Sequence, residues 1–157
     1  MPAMVPAAGP VWPLLSGDDV GKRGSRPPVV AAAGDVNNRN TLAMWERHSG
    51  RSYLVDTGAD VSVFPASFSD RKSRPNSAPL VAANGSTIRM WGQRTIPLHL
   101  GHGRLFTQDF HLVDVTRPIL GTDLFRKNNL AIDLVGRRLI DLAHKSTVPA
   151  SLGASLP

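Results

Sequence analysis

The 157-residue sequence contains no cysteine. That absence removes disulfide frameworks, thiol nucleophiles and thiolate metal sites together, and it fits an intracellular, cytoplasmic setting. Long apolar runs are missing too. Nothing approaches the roughly 20 consecutive apolar residues of a membrane span, and the apolar stretch 1–15 is broken by prolines and has no basic n-region. Neither a signal peptide nor a transmembrane helix is expected. Acidic residues are the scarcer charge, 12 against 18 Lys and Arg, leaving a net charge of +6. A nucleic-acid partner would need that excess gathered into a stripe and interleaved with aromatic stacking platforms. The basic clusters are short (Arg71-Lys72-Ser73-Arg74, Arg126-Lys127, Arg137-Arg138) and aromatics make up only 6% of the chain, so solvated surface charge is the expectation.

What is present is the composition of one globular domain: 41% hydrophobic, 19% charged. The 14 glycines and 13 prolines break the apolar segments into short pieces, which favours strands and turns over long helices. An all-β fold is expected. The Ala/Pro/Gly-rich segment 1–38 has no sustained period and reads as a flexible leader, 39–145 as the folded domain, and 146–157 as a flexible tail. Strands are expected at Thr41–Glu46, Ser52–Val55, Val61–Phe64, Leu80–Ala83, Thr87–Trp91, Arg94–Leu100, Leu105–Val115, Leu130–Leu134 and Arg138–Leu142. Asn84-Gly85 between two apolar segments is a strong hairpin signal. One short helix, Leu124–Asn129, follows Ile119-Leu120-Gly121, with Thr122 or Asp123 as its cap.

The chemistry centres on Asp56-Thr57-Gly58-Ala59. An Asp closing the apolar strand Tyr53-Leu54-Val55 is braced by a sheet while its carboxylate reaches a cleft. Thr57 adds a hydroxyl, Gly58 permits a turn that a Cβ would obstruct and offers an open amide, and Ala59 allows close packing. Strand ends and turns use the same residue types, so the four residues alone do not decide between a turn and a catalytic carboxylate. The second signal, Ile119-Leu120-Gly121 before a helix, tips the balance.

The segment Leu54-Val55-Asp56-Thr57-Gly58-Ala59-Asp60-Val61-Ser62-Val63-Phe64-Pro65 resembles the active-site segment of retropepsin-type aspartic proteases (peptidase family A2) of gypsy-class long-terminal-repeat retrotransposons. Leu80–Leu100 resembles the flap and following strand of that family, and Ile119–Leu134 its closing segment. The resemblance implies a small closed β-barrel with one catalytic Asp per chain, completed as a homodimer. Asp56 would then be catalytic, with Thr57, Gly58 and Ala59 in support and Ala83, Asn84, Gly85 and Ser86 contacting substrate from the flap. The substrate would be a peptide or polyprotein bound as a strand, and neither metal nor cofactor would be required. Many retroviral members place an Arg after the closing Gly, where it pairs with the Asp equivalent to Asp60. Thr122 stands there in this chain, so Asp60 is left to find another partner, Arg126 or an exposed position, as a substrate or interface contact.

Other candidates are weaker. His99, His102 and His111 lack a locally spaced carboxylate to complete a metal site. Ser62, Ser67 and Ser69 sit in no nucleophile elbow. Trp45 and Trp91 read as packing, with a substrate-flanking role for Trp91 as the alternative. Two functions stay open: an active aspartic endopeptidase and a catalytically silent dimerisation module of the same fold, with nucleic-acid binding third.

Overall fold

The computed structural model describes residues 27–30, 41–76 and 78–152; the rest of the expected leader and the end of the expected tail lie outside the described residues. The described chain is mostly strand: β1 (Val29–Val30), β2 (Leu42–Glu46), β3 (Arg51–Val55), β4 (Val63–Pro65), β5 (Leu80–Ala82), β6 (Thr87–Ile88), β7 (Met90–Leu98), β8 (Phe106–Val113), β9 (Ile119–Leu120), β10 (Leu130–Asp133), β11 (Arg138–Asp141), β12 (Ser146–Pro149) and β13 (Ser151–Leu152). One helix, α1 (Thr122–Asn128), lies between β9 and β10. Seven strands form one sheet in the order β13-β2-β3-β9-β4-β8-β7, with smaller sheets β1-β5-β6 and β10-β11-β12.

Side-chain alternation along the central strands explains the layering. On β3, Tyr53 and Val55 face one buried cluster that also holds Phe106, Phe110, Leu120 and Leu124. Leu54, between them, faces a second cluster with Ala59, Val63, Leu80 and Ile119. Strands buried on both faces lose the polar alternation of a surface strand, and each such large side chain contributes about 2 kcal/mol on burial. The strand that leads into Asp56 is therefore clamped between two cores.

The expected closed barrel takes a looser form. Among the described residues no ladder joins β7 to β13; instead the end of β7 is tied to the end of β2 through Arg47, whose N–H donates to the His99 carbonyl at 3.0 Å. The buried Glu46 carboxylate completes that tie by accepting the His99 N–H at 3.0 Å. Its other acceptor sites take the amides of His48 (3.1 Å) and Ser49 (2.7 Å) and the Ser49 hydroxyl. One carboxylate does here what a run of ladder bonds does in a closed barrel.

Three expectations need correction. Residues 146–152 are not a flexible tail: β12 pairs with β11 (Leu139↔Val148) and β13 with β2 (Leu152↔Leu42). The alternation of exposed Thr147, buried Val148 and exposed Pro149 was masked by a Ser/Pro/Ala composition. Within the leader, Val29 and Val30 form β1, parallel to β5. The strands expected at Thr87–Trp91 and Arg94–Leu100 are divided elsewhere, into two-residue β6 and nine-residue β7. Gly92, at φ +95, carries a bulge between Met90 and Gln93 that keeps β7 paired with β8 across the break. Pro97 is tolerated because β7 is the edge of its sheet.

Candidate active site

Asp56 follows β3 where the parallel pairing with β9 (Leu54↔Ile119, Val55↔Leu120) ends. Its own N–H extends that pairing by donating to the Leu120 carbonyl at 3.0 Å. The chain then turns: the Ala59 N–H donates to the Asp56 carbonyl at 3.1 Å, and the Gly58 N–H donates to Asp56 Oδ1 at 2.9 Å. The carboxylate is thus oriented by an amide and only half buried. Thr57 and Gly58 are exposed, while Ala59 is completely buried against the second cluster. A sheet-braced carboxylate at the rim of the fold, with an exposed hydroxyl beside it, can act on a group brought to that surface.

β9 makes this geometry specific, because it lies between the strand that ends at Asp56 and β4, which leaves the loop again. The role of Gly121 follows: a Cβ there would lie 2.5 Å from the Val61 carbonyl oxygen and 3.0 Å from that of Ala59, both backbone atoms. Thr122 closes the contact by donating its N–H (2.8 Å) and its hydroxyl (3.1 Å) to the Ala59 carbonyl.

A buried polar post beneath the loop was missed by sequence reasoning. Ser62 Oγ accepts the Gly121 N–H at 2.9 Å and donates to Asp123 Oδ1 at 2.6 Å, while Asp123 Oδ2 accepts from the Ser62 N–H (2.9 Å) and Gln108 Nε2 (2.8 Å). The expected helix cap is corrected by the same bonds. Gly121 occupies the N-cap with no side-chain cap, and Asp123 is turned toward Ser62 and the Leu124 amide. Ser62→Ala would strand the buried Gly121 amide, a loss of roughly 1–3 kcal/mol. The only sequence hint was a Ser in the inward phase of an otherwise apolar segment.

The Asn-Gly hairpin forms as β5–β6, with Ala83, Asn84, Gly85 and Ser86 all exposed. Its turn is closed by Gly85 N–H donating to the Ala82 carbonyl (2.9 Å), and Asn84 Oδ1 accepts the Ser86 N–H at 3.0 Å. Gly85 takes φ +84, whereas Asn84 stays out of the left-handed region. The turn is therefore centred one residue earlier than a two-residue Asn-Gly loop would place it. At the hairpin root, Asp114 accepts from Arg71 (2.9 Å) and Arg89 (2.8 Å), and both guanidiniums lie over Trp91, at 5.1 and 5.4 Å. Hydrogen bonds from Arg89 and then Arg71 hold the Asp114 carboxyl below its ordinary range. Trp91 is a packing platform for arginines in this arrangement.

Asp60 is exposed, and its Oδ2 accepts the Val29 amide at 2.9 Å. Other arginines also meet acids: besides the pairs at Asp114, Asp70 pairs with Arg94, Asp133 with Arg138 and Asp141 with Arg104. The three histidines weighed as metal ligands go elsewhere. His99 stacks on His48 at 4.8 Å, His102 Nε2 lies 3.1 Å from the Leu139 carbonyl, and His111 lies against Met90 and Gln93. Among the described residues no group of three or more His, Cys, Asp or Glu side chains is placed to hold a metal ion. No helix among them is long and apolar enough to cross a membrane.

No protein-family model matches the chain. Solved structures do. The retroviral protease-like domain of Ddi1 from Leishmania major superimposes with a TM-score of 0.53 at 19% identity, over 74% of this chain and 96% of that one. EIAV protease complexed with the inhibitor HBY-793 matches with a TM-score of 0.41 at 21% identity, over 63% of this chain and 96% of that one. The fold of this chain is thus the retroviral protease-like fold, reached from a sequence four-fifths different from that of the Leishmania domain.

Proposed function

We propose that the chain is one half of an aspartic endopeptidase that hydrolyses peptide bonds as a homodimer, of the retropepsin type found in gypsy-class retroelements, where it would process a polyprotein. The observation that carries this reading is the Asp56 carboxylate, oriented by the Gly58 amide at the end of a strand clamped between two cores. The sequence holds one Asp-Thr-Gly, so a second carboxylate must come from a second copy, most simply across a two-fold axis. Two carboxylates sharing one water hold one proton between them. The ionised member takes a proton from the water as it attacks the scissile carbonyl, and the protonated member donates to the carbonyl oxygen, giving a tetrahedral intermediate with no covalent bond to the enzyme. In this reading the exposed Thr57 meets its counterpart at the dimer axis, and the exposed hairpin tip Ala83–Ser86 covers an extended peptide.

Peptide hydrolysis between about pH 4 and 6 tests the reading. The wild-type chain is expected to cleave and Asp56→Asn to lose at least about a thousandfold; equal cleavage by the two would sink it. A second reading, a catalytically silent dimerisation or interaction module, is favoured by one observation, that the structural likeness is to a protease-like domain of another protein. It expects dimers in sedimentation and no cleavage by either chain.

A further inference from the structure

Val29 and Val30 stand far ahead of the catalytic segment in sequence, yet β1 is gripped along both of its edges. On one edge it runs parallel to β5, the first arm of the hairpin, in the register Val29↔Val81 and Val30↔Ala82, and the Val81 N–H donates to the Pro28 carbonyl at 3.0 Å. On the other edge Val29 exchanges both of its backbone groups with Asp60. Its N–H donates to Asp60 Oδ2 at 2.9 Å, and its carbonyl accepts the Asp60 N–H at 2.8 Å. The next side chain, Val30, is completely buried in the cluster that holds Ala59, Val63, Leu80, Ala82 and Ile119.

These contacts have a direction. Asp60 and Ala59 belong to the turn that carries Asp56, Ile119 belongs to the strand that orients that turn, and β5 belongs to the hairpin opposite. An extended segment lying between the turn and the hairpin, with its main chain bonded to each, occupies the position that strand addition requires of a bound peptide. Residues 27–30 hold that position with the chain's own sequence, Pro-Pro-Val-Val. Pro27 and Pro28 have fixed φ and no N–H, so the segment arrives extended and loses little freedom on docking.

We propose that Pro28–Val30 is a tethered occupant of the peptide groove. It holds in cis the place of an extended substrate whose backbone is read by Asp60 and the β5 edge, and whose small β-branched aliphatic side chain fills the Val30 pocket. Two properties follow, both resting on the peptidase reading. Preferred substrates carry Val or Ile at the position that enters this pocket, where a charged residue would be buried unpaired. The leader also competes with them, because tethering gives it an effective concentration in the millimolar range.

The test reads binding, so it does not depend on hydrolysis. In the full-length Asp56→Asn chain, a fluorescein-labelled peptide copying residues 25–32 is titrated by anisotropy, with and without Val30→Asp. Val30→Asp expels the tethered strand, and the peptide is expected to bind at least about tenfold more tightly than to the parent. Val29→Pro, which removes the amide donated to Asp60, is expected to give the same gain through a different contact. Urea unfolding followed by tryptophan fluorescence establishes that both chains are folded. Equal affinity for the parent and for a folded Val30→Asp or Val29→Pro chain overturns the proposal, as does undiminished binding of a peptide carrying Asp at the Val30 position. Absence of cleavage by a Val30→Asp chain that keeps Asp56, with the binding gain intact, would count against the peptidase reading alone.

Discussion

Glu46 carries more of the fold than its place at a strand end suggests. Burial alone would raise its pKa, but the hydrogen bonds from the Ser49 hydroxyl and from the Ser49, His99 and His48 amides outweigh that effect and bring it down to about 2. The folded-state value lies below the ordinary 4.5, so this stabilisation, on the order of 3 kcal/mol, is complete above about pH 5 and is lost as the pH falls toward 2. At pH 4 about three-quarters of it remains, so the fold keeps most of this support across the acidic range in which the proposed function is tested. Glu46→Gln puts an NH2 group against amides that need an acceptor and is expected to cost roughly 1–3 kcal/mol at pH 7. Urea midpoints measured from pH 7 down to 2.5 should show the gap between variant and wild type shrinking with acid; a constant gap would contradict this account of Glu46. Gly121→Ala meets fixed backbone and is expected to cost about 3 kcal/mol or more, against roughly 1 kcal/mol for Gly85→Ala, where a Cβ meets nothing and only the φ of +84 resists. Paired thermal melts of the two variants check the order. The turn after Asp56, with the Gly58 amide facing its carboxylate, was legible in the sequence because it is local. Glu46 and Ser62 were not, since their partners His99 and Asp123 lie 53 and 61 residues away and nothing in a Glu or Ser marks such a bond.

At the scale of elements, strands with a clean apolar pattern, such as β2, β3 and β8, could be read from sequence to within a residue or two. Two of the misread pieces, β1 and β13, share a cause: each is a two-residue strand whose formation depends on an edge supplied from far along the chain. β13 pairs with β2 from across the chain, and β1 needs both β5 and Asp60. Composition describes such segments poorly, because their stability lies in the docking site. The C-terminal strands give the sharpest check. Val148 is buried in the main cluster beside Leu139 and Leu130, so Val148→Asp buries an unpaired carboxylate and is expected to destabilise by at least about 3 kcal/mol. A change at Thr147, exposed on the same strand, should stay within about 0.5 kcal/mol. If Val148→Asp unfolds at the wild-type urea concentration, residues 146–152 are a tail after all.

For the whole molecule, the proposed function makes activity a property of pairs of chains, because the sequence holds one Asp-Thr-Gly. β3 runs into a half-buried carboxylate with an exposed threonine beside it, and in the proposed mechanism that surface acts only when a second one faces it. The requirement can be tested without a structure of the dimer, by poisoning. If wild-type and Asp56→Asn chains are mixed in equal amounts and allowed to exchange, random pairing leaves about a quarter of the dimers with two aspartates, about half with one and about a quarter with none. Since the mechanism needs both carboxylates, the mixture should show about a quarter of the activity of the same total amount of wild-type chain. A monomeric enzyme, or a dimer whose halves work independently, gives about half. The two outcomes differ twofold, well within what an initial-rate assay resolves. Retention of half the activity after full exchange would remove the shared-proton mechanism while leaving the fold, the orientation of Asp56 and the tethered leader strand as they stand.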